Sequence, residues 1–206
     1  MKKILLTLIL MISYSGCTQA IEFKKSEPPK IQSEQYQSVT EQANVLYAQN
    51  DIKQAQEQLL SIPEEERTAQ NWLLIGNILQ DQGKENEAVF MYNKAVQTDE
   101  KYYKAYYNLG NIYLNNNKPN MAEEEFKKAI KYKPDYAYAH YNLACAYIKS
   151  GKYSKARYEL YTAIELKNTV PEFHYNQAFV LKKLNREKEA KKYLEYYNKL
   201  MENNYV

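Results

Sequence analysis

From residue 69 onward the chain repeats its order of small, large apolar and polar positions every 34 residues, with copies starting at Ala69, Tyr103, Ala137 and Pro171 and no insertion between them. The eighth position of each copy is small (Gly76, Gly110, Ala144, Ala178), as is the twentieth (Ala88, Ala122, Ala156, Ala190). The twenty-seventh is Ala95, Ala129 and Ala163, and fails only at Tyr197. Large apolar side chains fill slots between these: Ile75, Leu109 and Leu143 at the seventh, Leu79, Tyr113, Tyr147 and Leu181 at the eleventh, and Tyr92, Phe126, Leu160 and Leu194 at the twenty-fourth. Spacings of three and four place them on one helical face, and the small residues let two antiparallel helices approach closely. The fifteenth position holds Gly83, Asn117, Gly151 and Asn185, the two residue types that most readily take the left-handed conformation ending a helix. Each copy is therefore predicted to be a helical hairpin, with Pro134 as a further stop signal. A weaker copy over 36–68 is one residue short, has Ala43 and Ala55 in the small slots and Asn50 in the turn, and is cut early by Pro63. The last copy carries Gln177 in an apolar slot and ends in a Lys- and Glu-rich helix over 187–202, a polar cover for the open end of a stack.

The runs Trp72-Leu73-Leu74-Ile75-Gly76, Tyr106-Tyr107-Asn108-Leu109-Gly110-Asn111-Ile112-Tyr113 and His140-Tyr141-Asn142-Leu143-Ala144 resemble the tetratricopeptide repeat. The resemblance implies an all-α fold, a right-handed α-solenoid over 35–206, with copies at 36–68, 69–102, 103–136, 137–170 and 171–204. It also implies an inner groove lined by the first helix of each copy. Carried onto this sequence, the inner slots are Asn77; Lys104, Tyr107, Asn108 and Asn111; Tyr138, Tyr141, Asn142 and Cys145; and Tyr175, Asn176 and Phe179. Tyr rings and Asn amides together suit a protein or peptide ligand; the alternative is that they only pack and solvate neighbouring helices.

Lys2 and Lys3, the apolar run 4–12 and the small polar residues ending in Ser15, Gly16 and Cys17 follow the order of a secretory signal, with an apolar run too short to span a bilayer as a helix. Ser15-Gly16-Cys17 resembles the lipobox of bacterial lipoproteins, departing from it at Tyr14 where that family usually has Leu. The resemblance implies removal of 1–16 and lipidation of Cys17, which would anchor the chain to a bacterial envelope membrane. Thr18 in place of Asp favours the outer membrane in a Gram-negative source. Residues 17–34, with Pro28-Pro29, read as the lipidated cysteine and a flexible tether reaching up to about 50 Å at about 3.1 Å per residue. Cleavage near Ala20 or an uncleaved anchor are the other readings.

Composition narrows the function. The 28 Lys and Arg against 25 Asp and Glu give +3, and loss of 1–16 takes Lys2 and Lys3 with it to leave +1, no electrostatic footprint for nucleic acid. The 22 Tyr predict many half-buried positions with wet hydroxyls. Two cysteines make no disulfide framework, and Cys145 is expected to be a small buried residue. No Ser, His and acid set and no glycine-rich phosphate loop is present, so no catalytic residues, cofactor or small-molecule substrate are expected. His140 and His174 occupy the same fourth slot of adjacent copies and make a poor metal pair. The fifth slot holds Leu73, Tyr107, Tyr141 and Tyr175, which argues against a Lys/Arg clamp for a C-terminal carboxylate. Glu123, Glu124 and Glu125 with Lys127 and Lys128 read as a solvated helix face. The expectation is a lipid-anchored scaffold that binds a protein through its groove. Alternatives are an assembly factor for an outer-membrane or type IV pilus complex, an adaptor using the convex face, and an envelope enzyme.

Overall fold

The computed structural model describes residues 30–203, so the signal, Cys17 and most of the tether lie outside the described residues. Ten α-helices and one 3-10 turn follow in order: α1 (Lys30–Ala48), α2 (Ile52–Ser61), the turn Glu64–Glu66, α3 (Ala69–Asp81), α4 (Glu85–Thr98), α5 (Tyr103–Asn115), α6 (Pro119–Tyr132), α7 (Ala137–Lys149), α8 (Tyr153–Leu166), α9 (Pro171–Lys183) and α10 (Glu187–Asn203). Odd and even helices pair as hairpins and each hairpin packs on the next, an α-solenoid. Helix α1 is described from Lys30 onward, so residues 30–34 of the segment read as tether are helical. None of the described helices is long and apolar enough to cross a membrane.

The turn slots behave as their residue types dictate. Asn50, Gly83, Asn117, Gly151 and Asn185 all have positive φ, between 55° and 75°. Helix α2 stops at Ser61, one residue before Ile62 and Pro63. At the opposite end of a hairpin, Thr68 caps α3 in a reciprocal box: its hydroxyl accepts from the Asn71 N–H at 3.3 Å and Asn71 Oδ1 accepts from the Thr68 N–H at 2.8 Å. Asn71 Nδ2 then donates to Thr40 Oγ1 at 2.7 Å, a buried link to the first hairpin.

Inside each hairpin the eighth and twenty-fourth slots meet, and their sizes compensate. A Cβ at Gly76 would lie 2.5 Å from Tyr92 Cε1, and one at Gly110 would lie 2.6 Å from Phe126 Cε1. In the next two copies the small residue is Ala144 or Ala178 and the large one shrinks to Leu160 or Leu194. Glycine is thus matched with an aromatic ring and alanine with leucine, so that the summed size of the pair varies little from hairpin to hairpin.

The fourth slot carries a second repeating device. Tyr106 OH donates to Glu100 O at 3.0 Å, His140 Nε2 to Pro134 O at 2.9 Å and His174 Nε2 to Asn168 O at 2.8 Å. Each ring packs flat in the core and pins the loop before its own helix through a carbonyl six residues back. The two histidines are therefore loop pins with an aromatic body. Among the described residues no group of three or more His, Cys, Asp or Glu is placed to hold a metal. Glu123 is not simply solvated: it accepts from Lys127 at 2.6 Å on its own helix and from Lys152 at 2.8 Å, tying α6 to the start of α8. Burial works to raise its carboxyl, but hydrogen bonds from the two lysines outweigh this and hold it down at about 2.

Candidate partner-binding groove

Second-, fifth-, sixth- and ninth-slot side chains of α3 and α5 line one face together with α1, and hydrogen bonds from Asn142 and Asn176 join the corresponding slots of α7 and α9 to it. A cavity of about 280 Å³ opens on this face across the first three hairpins. Asn77, Lys104, Tyr107 and Asn108 line it, as the sequence predicts. Leu73 and Leu74 form an apolar patch in its floor, and Asn44 and Tyr47 of the first hairpin close one end. Tyr47 donates to Asp81 Oδ2 at 2.6 Å, and burial together with that bond pushes its hydroxyl up to about 12.

The asparagines form a ladder from hairpin to hairpin. Asn108 Nδ2 donates to Asn77 Oδ1 at 2.8 Å; Asn142 Nδ2 donates to Asn111 Oδ1 at 2.7 Å and to Tyr107 OH at 3.1 Å; Asn176 Nδ2 donates to Tyr141 OH at 2.9 Å. The sixth-slot amides of Asn142 and Asn176 thus reach both the ninth-slot atom and the fifth-slot hydroxyl of the copy before, while that of Asn108 reaches the ninth slot alone because the fifth slot before it is Leu73. Asn77 Oδ1 is also 2.9 Å from Tyr92 OH, which reaches the groove from the helix behind. These side chains do hold adjacent helices together. The carbonyl oxygens of Asn108, Asn142 and Asn176 have no hydrogen-bond partner among the described residues and remain open to the trough, free to accept from a peptide N–H.

Aromatic rings continue the wall towards the C-terminal end. Tyr136 meets Tyr107 edge-on at 5.1 Å, Tyr138 meets Phe173 at 5.7 Å, and Tyr141 stacks on Phe173 at 4.7 Å. Burial raises the hydroxyls of Tyr107, Tyr136 and Tyr141, so all three are neutral donors across the physiological range. Tyr138, Tyr175 and Phe179 stand out of the surface, at 37%, 51% and 37% exposure.

Two points depart from the sequence reading. Cys145 is half-buried at the trough surface instead of enclosed, with Asn176 Nδ2 3.8 Å from its sulfur; burial pushes the thiol up to about 11, which keeps it protonated and inert. Tyr102 and Tyr136 also line the cavity. They occupy the last slot of their copies, in the loop, where a pattern built on helix faces gives no signal; a Tyr recurring at that slot was the available clue.

Three sequence-family models match: one described as TPR repeat over 76–117, and two described as Tetratricopeptide repeat over 107–171 and 171–202. Together they span 76–202, and the chain is a tetratricopeptide-repeat protein. No curated protein matches the sequence. Among solved structures, pilF of Pseudomonas aeruginosa superposes with a TM-score of 0.75 at 17% identity, covering 82% of this chain and 78% of that one. MamA from Desulfovibrio magneticus RS-1 gives 0.70 at 17% identity, covering 83% and 96%, and another MamA structure gives 0.69 at 21% identity, covering 79% and 95%. At such identities the likeness is one of fold.

Proposed function

We propose that this repeat protein is a lipid-anchored scaffold of the bacterial cell envelope, held to the outer membrane through Cys17 and binding a protein partner along its inner trough. The observation that carries the binding face is the set of open asparagine oxygens flanked by Tyr138 and Tyr175, side chains exposed on the same face. Amide acceptors can take hydrogen bonds from the N–H groups of an extended or helical segment, and rings beside them can cover its apolar side chains. The anchor rests on the Ser15-Gly16-Cys17 sequence alone; two or three acyl chains would hold the chain far more firmly than one. A role in assembling an outer-membrane or type IV pilus complex is a narrower version of the same reading, separated from it by the identity of the captured partner.

The test is affinity capture from envelope extract with the native chain and with Tyr138→Ala plus Tyr175→Ala, checking helix content by circular dichroism. Loss of partners with helicity intact supports the trough; full retention moves the interface to the convex face. For the anchor, Cys17→Ser should shift the protein from membrane to soluble fractions, and unchanged partitioning would refute lipidation.

A further inference from the structure

Charge divides sharply along the stack. Residues 30–102 hold 6 Lys and Arg against 12 Asp and Glu, a net −6, whereas residues 103–206 hold 18 against 11, a net +7. The near-neutral total conceals a solenoid with an acidic N-terminal part and a basic C-terminal part. The division carries onto the inner face. On the groove helices of the first two hairpins the charges include Glu41 and Asp81, while α5, α7 and α9 contribute Lys104, Lys149, Lys182 and Lys183 against Glu172 alone. All four lysines are exposed, and none has a carboxylate within ion-pair distance among the described residues.

The three exposed aromatic side chains of the trough fall in this same basic part, on α7 and α9. Some lysines elsewhere in the molecule are held in ion pairs: Lys127 and Lys152 on Glu123, Lys128 on Glu125, Lys94 on Glu64. Lys104, which lines the cavity, and Lys182 and Lys183, exposed at the end of α9, have no such ion pair among the described residues. Unpaired cations beside uncovered rings, with amide oxygens between them, are a complement waiting for carboxylates, apolar side chains and backbone N–H groups together.

We infer that the C-terminal half of the trough takes an acidic polypeptide segment bearing aromatic or branched apolar side chains, with the acidic N-terminal half repelling the same charge and so fixing which end of the segment lies where. The inference rests on the reading of the trough as the binding face and adds the partner's chemistry. A polypeptide is favoured over an anionic lipid surface because Lys104 lines a cavity beside the Asn77 and Asn108 amides, whose oxygens phosphate headgroups cannot satisfy.

The test is selection of random twelve-residue peptides displayed on phage against the full chain, against Lys104→Glu plus Lys182→Glu plus Lys183→Glu, and against Lys188→Glu plus Lys191→Glu, an equal kind of charge change on exposed α10 positions away from the trough. Helicity of each variant is checked by circular dichroism. The expected pool is acidic and aromatic, is lost on the groove variant and retained on the α10 variant, and its members bind about tenfold or more weakly when ionic strength is raised from low salt to about 0.5 M, where the screening length becomes a few ångströms. A neutral or basic pool, no enrichment at all, equal loss on both variants, or binding of phosphatidylglycerol vesicles with the same lysine dependence and no peptide enrichment would each overturn it. If Tyr138→Ala plus Tyr175→Ala still abolishes partner capture while the pool is not acidic, only the chemistry assigned here falls. If capture also survives those tyrosine changes, the trough itself is the wrong surface.

Discussion

Substituting Gly110 by Ala tests the size compensation that sets helix spacing inside each hairpin. The added methyl would sit 2.6 Å, 2.7 Å and 2.9 Å from three ring carbons of Phe126. That ring is fully buried and has no space to swing into. Overpacking of this kind costs about 1–3 kcal/mol, and three simultaneous short contacts argue for the upper part of that range. Alanine is better than glycine in a helix interior by about 1 kcal/mol. The net expectation is a loss of about 2 kcal/mol. Phe126→Leu alone removes ring carbons from a packed core and should cost about 1–2 kcal/mol through the cavity it leaves. The double variant reproduces the Ala144 with Leu160 arrangement found one repeat later, and should return to within about 1 kcal/mol of the native protein, a favourable coupling of about 2 kcal/mol for residues in contact. Urea unfolding followed by the helical circular dichroism signal measures this, with a constant slope m showing that the same cooperative transition is compared. Strict additivity, with the double variant the least stable of the three, would refute the compensation.

Two pH effects follow from the ion pairs. His140 donates from one ring nitrogen to Pro134 O and lies 2.7 Å from Glu159 through the other. Burial works to lower its pKa, but these partners outweigh it and the folded value is raised. Its stabilisation should therefore be complete below the unfolded value of about 6.5 and be lost as pH rises through the folded pKa, a decline in thermal midpoint that Glu159→Gln should flatten; an unchanged pH slope in that variant would contradict the assignment. Glu123 works in the opposite sense, since its carboxyl is held down: its contribution is present above the unfolded value and should disappear as pH falls from about 4.5 towards 2. Because the Lys127 and Lys152 side chains are 54% and 38% exposed, we expect Glu123→Gln to lose only about 1 kcal/mol near neutrality and to match the native protein near pH 2.

The sequence made the repeat legible because each packing demand recurs at one slot. Small residues at the eighth and twentieth slots, and Gly or Asn at the fifteenth, need only local geometry to be interpreted, and the positive φ at Asn117 and Gly151 is what such residues impose. Of the groove residues named from the sequence, Asn77, Lys104, Tyr107 and Asn108 line one cavity, and Asn111, Tyr141, Asn142 and Asn176 join them through hydrogen bonds between hairpins. Their bonding was not readable, since a hydrogen bond from Asn142 to both Tyr107 and Asn111 depends on the offset between hairpins, which no single helix face encodes. The same holds for His140 and His174. Their slot marks an aromatic plate, but the carbonyl each one pins belongs to a loop whose path is decided by stacking. Cys145 was placed in an inner slot and also expected to be buried; it is half-buried, because a small apolar residue suits a buried slot and an open one equally well.

The asparagine ladder ends at a particular residue, and that ending governs how the array could lengthen. At the ninth slot, where Asn77 and Asn111 offer an oxygen to the following copy, the last hairpin carries Phe179, which offers none. A duplicate of 103–136 spliced in after residue 136 would find matching donors and acceptors on both sides, because Asn108 and Asn111 satisfy neighbours of either hand. A unit added behind α10 would meet a phenyl ring in place of a rung. An extra repeat inserted between interior hairpins would therefore keep the ladder, whereas one placed behind α10 would interrupt it.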